Sequence, residues 1–161
     1  MSALPYDDDT LDEWTRLMLR ANSLLDRGAF DSAVAAYRLA RRYATEHFGS
    51  WPDVEDAVTA LVVSSLNLAE GLVRVRRLPE AAATLCGAHG GMLHAARDER
   101  LPMEARLAAR KRLRETRAAL LRFQSQHGPW PEVQRWLAAG CACGSPAHAQ
   151  PAASHPSPTL H

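Results

Sequence analysis

LMLRANSLLDRGAFDSAVAAYRLA, residues 17–40, decides the fold. Leu17, Ala21 and Leu24 precede Gly28, and Phe30, Ala33, Tyr37 and Ala40 follow it, each three or four residues from the next within its group. Residues so spaced share one face of a helix, so the stretch predicts two amphipathic helices. Gly28 is suited to the left-handed backbone angles that close a helix without steric cost, which predicts a hairpin. Working outward, Thr10 and Glu13 form a capping-box pattern that predicts a first helix from Leu11 to Arg27. Asp31 is placed to cap a second helix running to about Phe48, where Gly49 and Ser50 stop it.

The same punctuation recurs downstream. Pro52, read as a first-turn proline, and the acidic Asp53, Glu55 and Asp56 predict a third helix to about Val75. Pro79 and Glu80 open a fourth, to about Leu93, whose interior Gly87, Gly90 and Gly91 weaken. Pro102 and Glu104 open a fifth reaching Gln126, and Pro131 and Glu132 a short sixth ending near Gly140. The β-branched residues cluster in the third helix and do not alternate with polar ones, so no strand is expected and the fold class is all-α. From Cys141 onward, Pro146, Pro151, Pro156 and Pro158 leave no room for a helix. The expected organisation is a flexible acidic N-terminus over 1–10, a helical domain over 11–140 and a disordered tail over 141–161.

Charge narrows the function classes. Nineteen basic side chains face 18 acidic ones, so no net field draws in nucleic acid or an anionic membrane. Asp7, Asp8 and Asp9 stand where a secretory signal carries basic residues, and the apolar stretches read as too short for the roughly 20 residues that span a bilayer. A cytoplasmic location is the expectation. Alanine is abundant and Lys111 is the sole lysine among many arginines, the bias of a GC-rich, bacterial coding sequence. Cys86, Cys141 and Cys143 are too few and too uneven for a disulfide framework and are expected to be reduced thiols.

A second hairpin repeats the residue types of the first. Leu68, Ala69 and Leu72 lead to Leu78, Ala81, Leu85 and Ala88, so small residues at 21, 33, 69 and 81 let paired helices approach closely. This pattern resembles the tetratricopeptide repeat family. Phe48-Gly49-Ser50-Trp51-Pro52-Asp53-Val54, followed by Asn67-Leu68-Ala69, is similar to the longer-spaced repeats of the kinesin light chain type. The resemblance covers residues 11 to 93 and implies antiparallel helix pairs with a concave, peptide-binding face. Ala33 and Ala81 are 48 residues apart, against about 34 in the standard repeat. A long loop and about two extra turns on the third helix account for the difference. Trp130-Pro131-Glu132-Val133 echoes Leu78-Pro79-Glu80-Ala81 and marks a third, degenerate unit or a cap.

The resemblance also suggests a site. Asn22 and Asn67 fall where peptide-clamping members place asparagines, while Met18 stands where such clamps carry a lysine. Arg106 and Arg110, one turn apart on the fifth helix, supply a cationic half. They belong to a basic stretch that continues through Lys111, Arg112, Arg114 and Arg117. Arg106, Arg110 and Arg117 are expected on one side, binding phosphate or acidic peptide or else covering a core edge and pairing with Asp98 and Glu99. No aromatic residues interleave with these charges, which argues against nucleic acid.

In the tail, Cys141, Cys143 and His148, with His155 and His161 beyond, offer soft ligands for copper or zinc, although one residue between two cysteines is not the spacing of a structural zinc site. Cys86 and His89, one turn apart, read as a small apolar residue beside a polar one. No catalytic motif can be placed, so neither enzyme activity nor a required cofactor is expected. The reading is a non-catalytic adaptor whose first, third and fifth helices form a groove for a peptide or helix, with Met18, Asn22, Asn67, Arg106 and Arg110 as its residues. Metal handling through the tail, chaperoning of a secreted or assembled partner, and self-association are the competing readings, the last favoured by exposure of Trp14, Trp51, Trp130 or Trp136.

Overall fold

The computed structural model describes residues 9–139. Among the described residues six α-helices follow one another: α1 (Asp9–Asp26), α2 (Phe30–Glu46), α3 (Val54–Arg74), α4 (Leu78–Arg97), α5 (Met103–His127) and α6 (Pro131–Ala139), with a 3-10 turn, Phe48–Ser50, between α2 and α3. Among the described residues there is no strand. Each helix packs against the next, and α3 also lies directly against α5. Short turns reverse the chain every time, so α1, α3 and α5 run parallel to one another in a row of three hairpins.

The first two hairpins turn in the same way. At the end of α1, the Gly28 N–H donates to the Leu25 carbonyl at 3.0 Å and Ala29 to Leu24 at 2.9 Å. Forty-eight positions on, Arg76 donates to Val73 at 3.0 Å and Arg77 to Leu72 at 2.8 Å. Gly28 has φ +76° and Arg76 has φ +62°, so both close their helix through the left-handed region. The same offset relates Ala33 to Ala81, each fully buried at the fourth position of its helix. The repeat seen in the side chains is therefore a repeat of backbone geometry. The third hairpin turns differently, through Gly128 with an extended ψ of −177°, but Val133 is fully buried in the same cluster as Ala81.

Several starts differ from the sequence reading, for one physical reason. A cap is decided by where the chain enters the core as well as by the polar residues nearby. α1 begins at Asp9, which places Thr10 inside the helix and buries it, so it caps nothing. α2 begins at Phe30 with Ala29 as its cap residue, and Asp31 contributes only its charge to the first turn. Pro52 lies outside α3, whose cap is Asp53, accepting from the Glu55 N–H at 2.8 Å. α4 runs four residues past its expected end despite its glycines.

α3 is the central element. It is the described helix long and apolar enough, by length and composition, to cross a membrane, which corrects the expectation that no stretch approaches that length. Here α2, α4 and α5 cover it, and more than half of its most apolar 18-residue window is buried. Leu68, Ala69 and Leu72 join Tyr37, Leu85, Leu120 and Phe123 in the main cluster. Each large apolar side chain so buried contributes about 1.5–3 kcal/mol. Nearer its start, α3 packs Val58 and Val62 against Ala108 and Ala109 of α5. Trp51 is buried edge-on against Trp14, 5.9 Å between ring centroids, and fixes the α2–α3 connection. The Trp14 indole N–H donates to Ser64 at 2.9 Å. Trp130 and Trp136 are half-buried against the core, so none of the four tryptophans is an exposed surface anchor.

Candidate functional site

α5 separates two clefts. On one side, α3 and the C-terminal half of α5 frame a groove of about 440 Å³, closed below by Leu85 of α4. Its walls combine the small Ala69 and Ala119 with the larger Leu66, Val73 and Phe123. Asn67, Glu70 and Arg74 line it from α3, and Arg122, Gln126 and His127 from α5. Glu70 and Arg74 pair with each other at 3.2 Å. Asn67, Arg122 and Gln126 have no side-chain hydrogen bond or ion pair among the described residues. The His127 ring lies 4.9 Å from that of Phe123, and its Nε2 is buried without a hydrogen-bond partner among the described residues.

On the other side, the C-terminal half of α4 and the middle of α5 frame a cleft of about 530 Å³. Leu93, Ala96 and Leu113 supply its apolar surface, and Arg97, Arg110, Arg114 and Arg117 surround it. His89, only 2% exposed, also lines it. Its Nδ1 is 2.8 Å from the Thr116 hydroxyl, which itself donates to the Arg112 and Leu113 carbonyls. With its proton directed at those carbonyls, Thr116 oxygen accepts from Nδ1–H, leaving Nε2 as the acceptor. Burial, and then the charge of Arg117, lower the His89 pKa from its usual value and keep the ring neutral.

The expected site residues disperse over the fold. Met18 is 5% exposed and packs in the core, accepting a weak contact from Ser64 at 3.8 Å, so it faces no ligand. Asn22 accepts from the Tyr37 hydroxyl at 2.6 Å and does not line the α3–α5 groove. Tyr37 has a raised pKa, through burial and then through Glu70 and Asp26. Asn67 lines the α3–α5 groove. Arg110 lines the opposite cleft, and Arg106, half-buried, lines neither. The five residues thus do not form one surface.

The basic stretch of α5 is likewise divided. Lys111 pairs with Glu55 at 2.7 Å and Arg112 donates to Thr59 at 2.6 Å, tying α5 to α3. Arg110, Arg114 and Arg117 face α4 instead, where Arg97 joins them. Asp98 is not their partner. It is held by Arg100, through both guanidinium and backbone N–H, which lowers its pKa to about 2. The sequence reading missed Arg97 and His89 of this cleft because both come from α4, whose register against α5 is not visible in either helix alone.

No group of three or more His, Cys, Asp or Glu side chains suited to a metal ion occurs among the described residues. Cys141, Cys143 and His148 lie outside those residues. Cys86 is buried, and its thiol pKa is pushed up to about 11, chiefly by burial and then by Glu132, against the opposing effect of Arg135.

Fold and clefts together define an all-α array of helix hairpins with open grooves between its layers. The chain belongs to the family described as a protein of unknown function, DUF2753, which it matches over residues 12–154. No curated protein and no solved structure matches it.

Proposed function

We propose that this protein is a non-catalytic, tetratricopeptide-type adaptor that binds a peptide or helix of another protein in the groove between α3 and α5. The observation that carries this reading is the groove itself, with an apolar floor of Leu66, Leu85 and Phe123 beneath the polar side chains of Asn67, Arg122 and Gln126. Such a floor anchors apolar side chains of an extended or helical ligand, while the rim fixes its backbone and direction. The 48-residue repeat of the Gly28 and Arg76 turns supports the array architecture on which the groove depends. With Met18 in the core and Asn22 bound to Tyr37, anchoring falls to Asn67 and the α5 side of the groove.

The test is selection of binders from a random peptide library on the full chain, followed by affinity measurement with Asn67→Ala and Arg122→Glu variants. The reading expects at least a tenfold loss for the pair, the scale of one or two charge-assisted hydrogen bonds, about 1.5–3 kcal/mol each. Peptides that bind both variants as tightly as the original chain would place recognition elsewhere and refute it.

A further inference from the structure

The cleft between α4 and α5 plays no part in peptide binding at the opposite groove, yet its composition is specific. Neighbouring arginines repel one another, and a bound anion relieves that repulsion. Arg110 and Arg114, one turn apart on α5, line this cleft beside Arg97 and Arg117. Arg110 and Arg114 meet no carboxylate within ion-pair distance among the described residues. Between the arginines the surface is apolar, from Leu93, Ala96 and Leu113. His89 adds a buried Nε2 that lacks a hydrogen-bond partner among the described residues. An unsatisfied buried acceptor is destabilising, and a ligand donor removes that penalty.

We propose that this cleft is a binding site for a small organic anion: a carboxylate or phosphate held by Arg110 and Arg114, an apolar side group on Leu93 and Leu113, and an N–H or O–H donor for His89. Each feature selects one part of the ligand. Guanidinium forks match carboxylate and phosphate oxygens in bidentate geometry, and the leucines exclude a bare inorganic anion as the best occupant. The volume of about 530 Å³ falls within the usual size of small-molecule pockets.

N-acetyl-leucine carries the carboxylate, the isobutyl group and the amide N–H. Calorimetric titration of the full chain compares it with N-acetyl-leucine amide, which lacks the charge, with isocaproate, which lacks the donor, with phenyl phosphate and with inorganic phosphate. Saturable binding is expected for N-acetyl-leucine, at least tenfold weaker binding for the amide and weaker binding for isocaproate. Phenyl phosphate decides whether the head group is carboxylate or phosphate: the tighter of the two acids names it, and either supports the site. Arg110→Gln and Arg114→Gln, both at exposed positions, are each expected to weaken binding about tenfold. Arg122→Gln, on the opposite groove, is expected to leave it unchanged. Failure of both N-acetyl-leucine and phenyl phosphate to bind, equal binding of the acid and its amide, or undiminished binding to the folded Arg110→Gln/Arg114→Gln double variant would each overturn the proposal. Because peptide binding is read at the other groove, its failure and this one are separable.

Discussion

Gly90 offers the sharpest test of how the last hairpin is assembled. A Cβ at this position would stand 2.6 Å from Cη2 and 2.7 Å from Cζ2 of Trp136. Carbon atoms in comfortable contact are about 3.5–4.0 Å apart, so the indole must retreat by roughly 1 Å. It cannot do so by rotating a flexible tip, because the ring is rigid and α6 is pinned beside it by the fully buried Val133. Overpacking of this kind costs about 1–3 kcal/mol, while replacing a helical glycine by alanine gains about 1 kcal/mol. Gly90→Ala is therefore expected to destabilise the protein by up to about 2 kcal/mol. The same change at Gly87 or Gly91, where an added Cβ meets nothing within 4 Å, is expected to stabilise by up to about 1 kcal/mol. Urea unfolding followed by circular dichroism measures all three, and a difference of 1 kcal/mol moves the thermal midpoint by about 3–4 °C at this size. In a Trp136→Leu background the clash is gone, and Gly90→Ala should become stabilising. If Gly90→Ala stabilises the original chain as much as Gly91→Ala does, the close approach of α4 and α6 is refuted.

Arg76→Gly is expected to raise stability by about 1 kcal/mol, because Arg76 holds a left-handed backbone (φ +62°) that glycine adopts without strain; a loss in thermal denaturation would contradict the equivalence of the two turns. Cys86, buried with its pKa near 11, is expected to resist iodoacetamide at neutral pH until the protein unfolds, which peptide mapping of the labelled sites will show. For His89 the folded pKa is lowered, so the unfolded chain takes up the proton first. The stability tied to neutral His89 is fully present above about pH 6.5 and falls as the pH drops below that value. A His89→Gln variant should show a flatter decline of the urea midpoint between about pH 7 and pH 5 than the original chain, and an unchanged slope would refute the assignment.

The helices and their order were legible in the sequence because both depend on short-range chemistry. The spacing of Leu17, Ala21 and Leu24 fixes an apolar face, Gly28 fixes a turn, and the prolines at 79, 102 and 131 mark helix starts wherever they fall. The 48-residue repeat was visible in Ala33 and Ala81 for the same reason. The capping roles of Thr10 and Asp31 were not, because burial and chain entry outweighed the local hydrogen-bonding pattern. That Asn67 sits on an uncovered face of α3 follows from the pattern of that one helix. The burial of Met18 does not: only the packing of α1 on α3 decides that a residue on the same face is covered by a neighbour. The arginine cleft lies at the far end of this scale. The sequence reading set Arg106, Arg110 and Arg117 on one side of α5, whereas the cleft takes Arg110, Arg114 and Arg117 and leaves Arg106 out, and Arg97, His89 and Leu93 join them through the register of α4 against α5. That register is set by which side chains fit between the two helices, and it exists only in the folded chain.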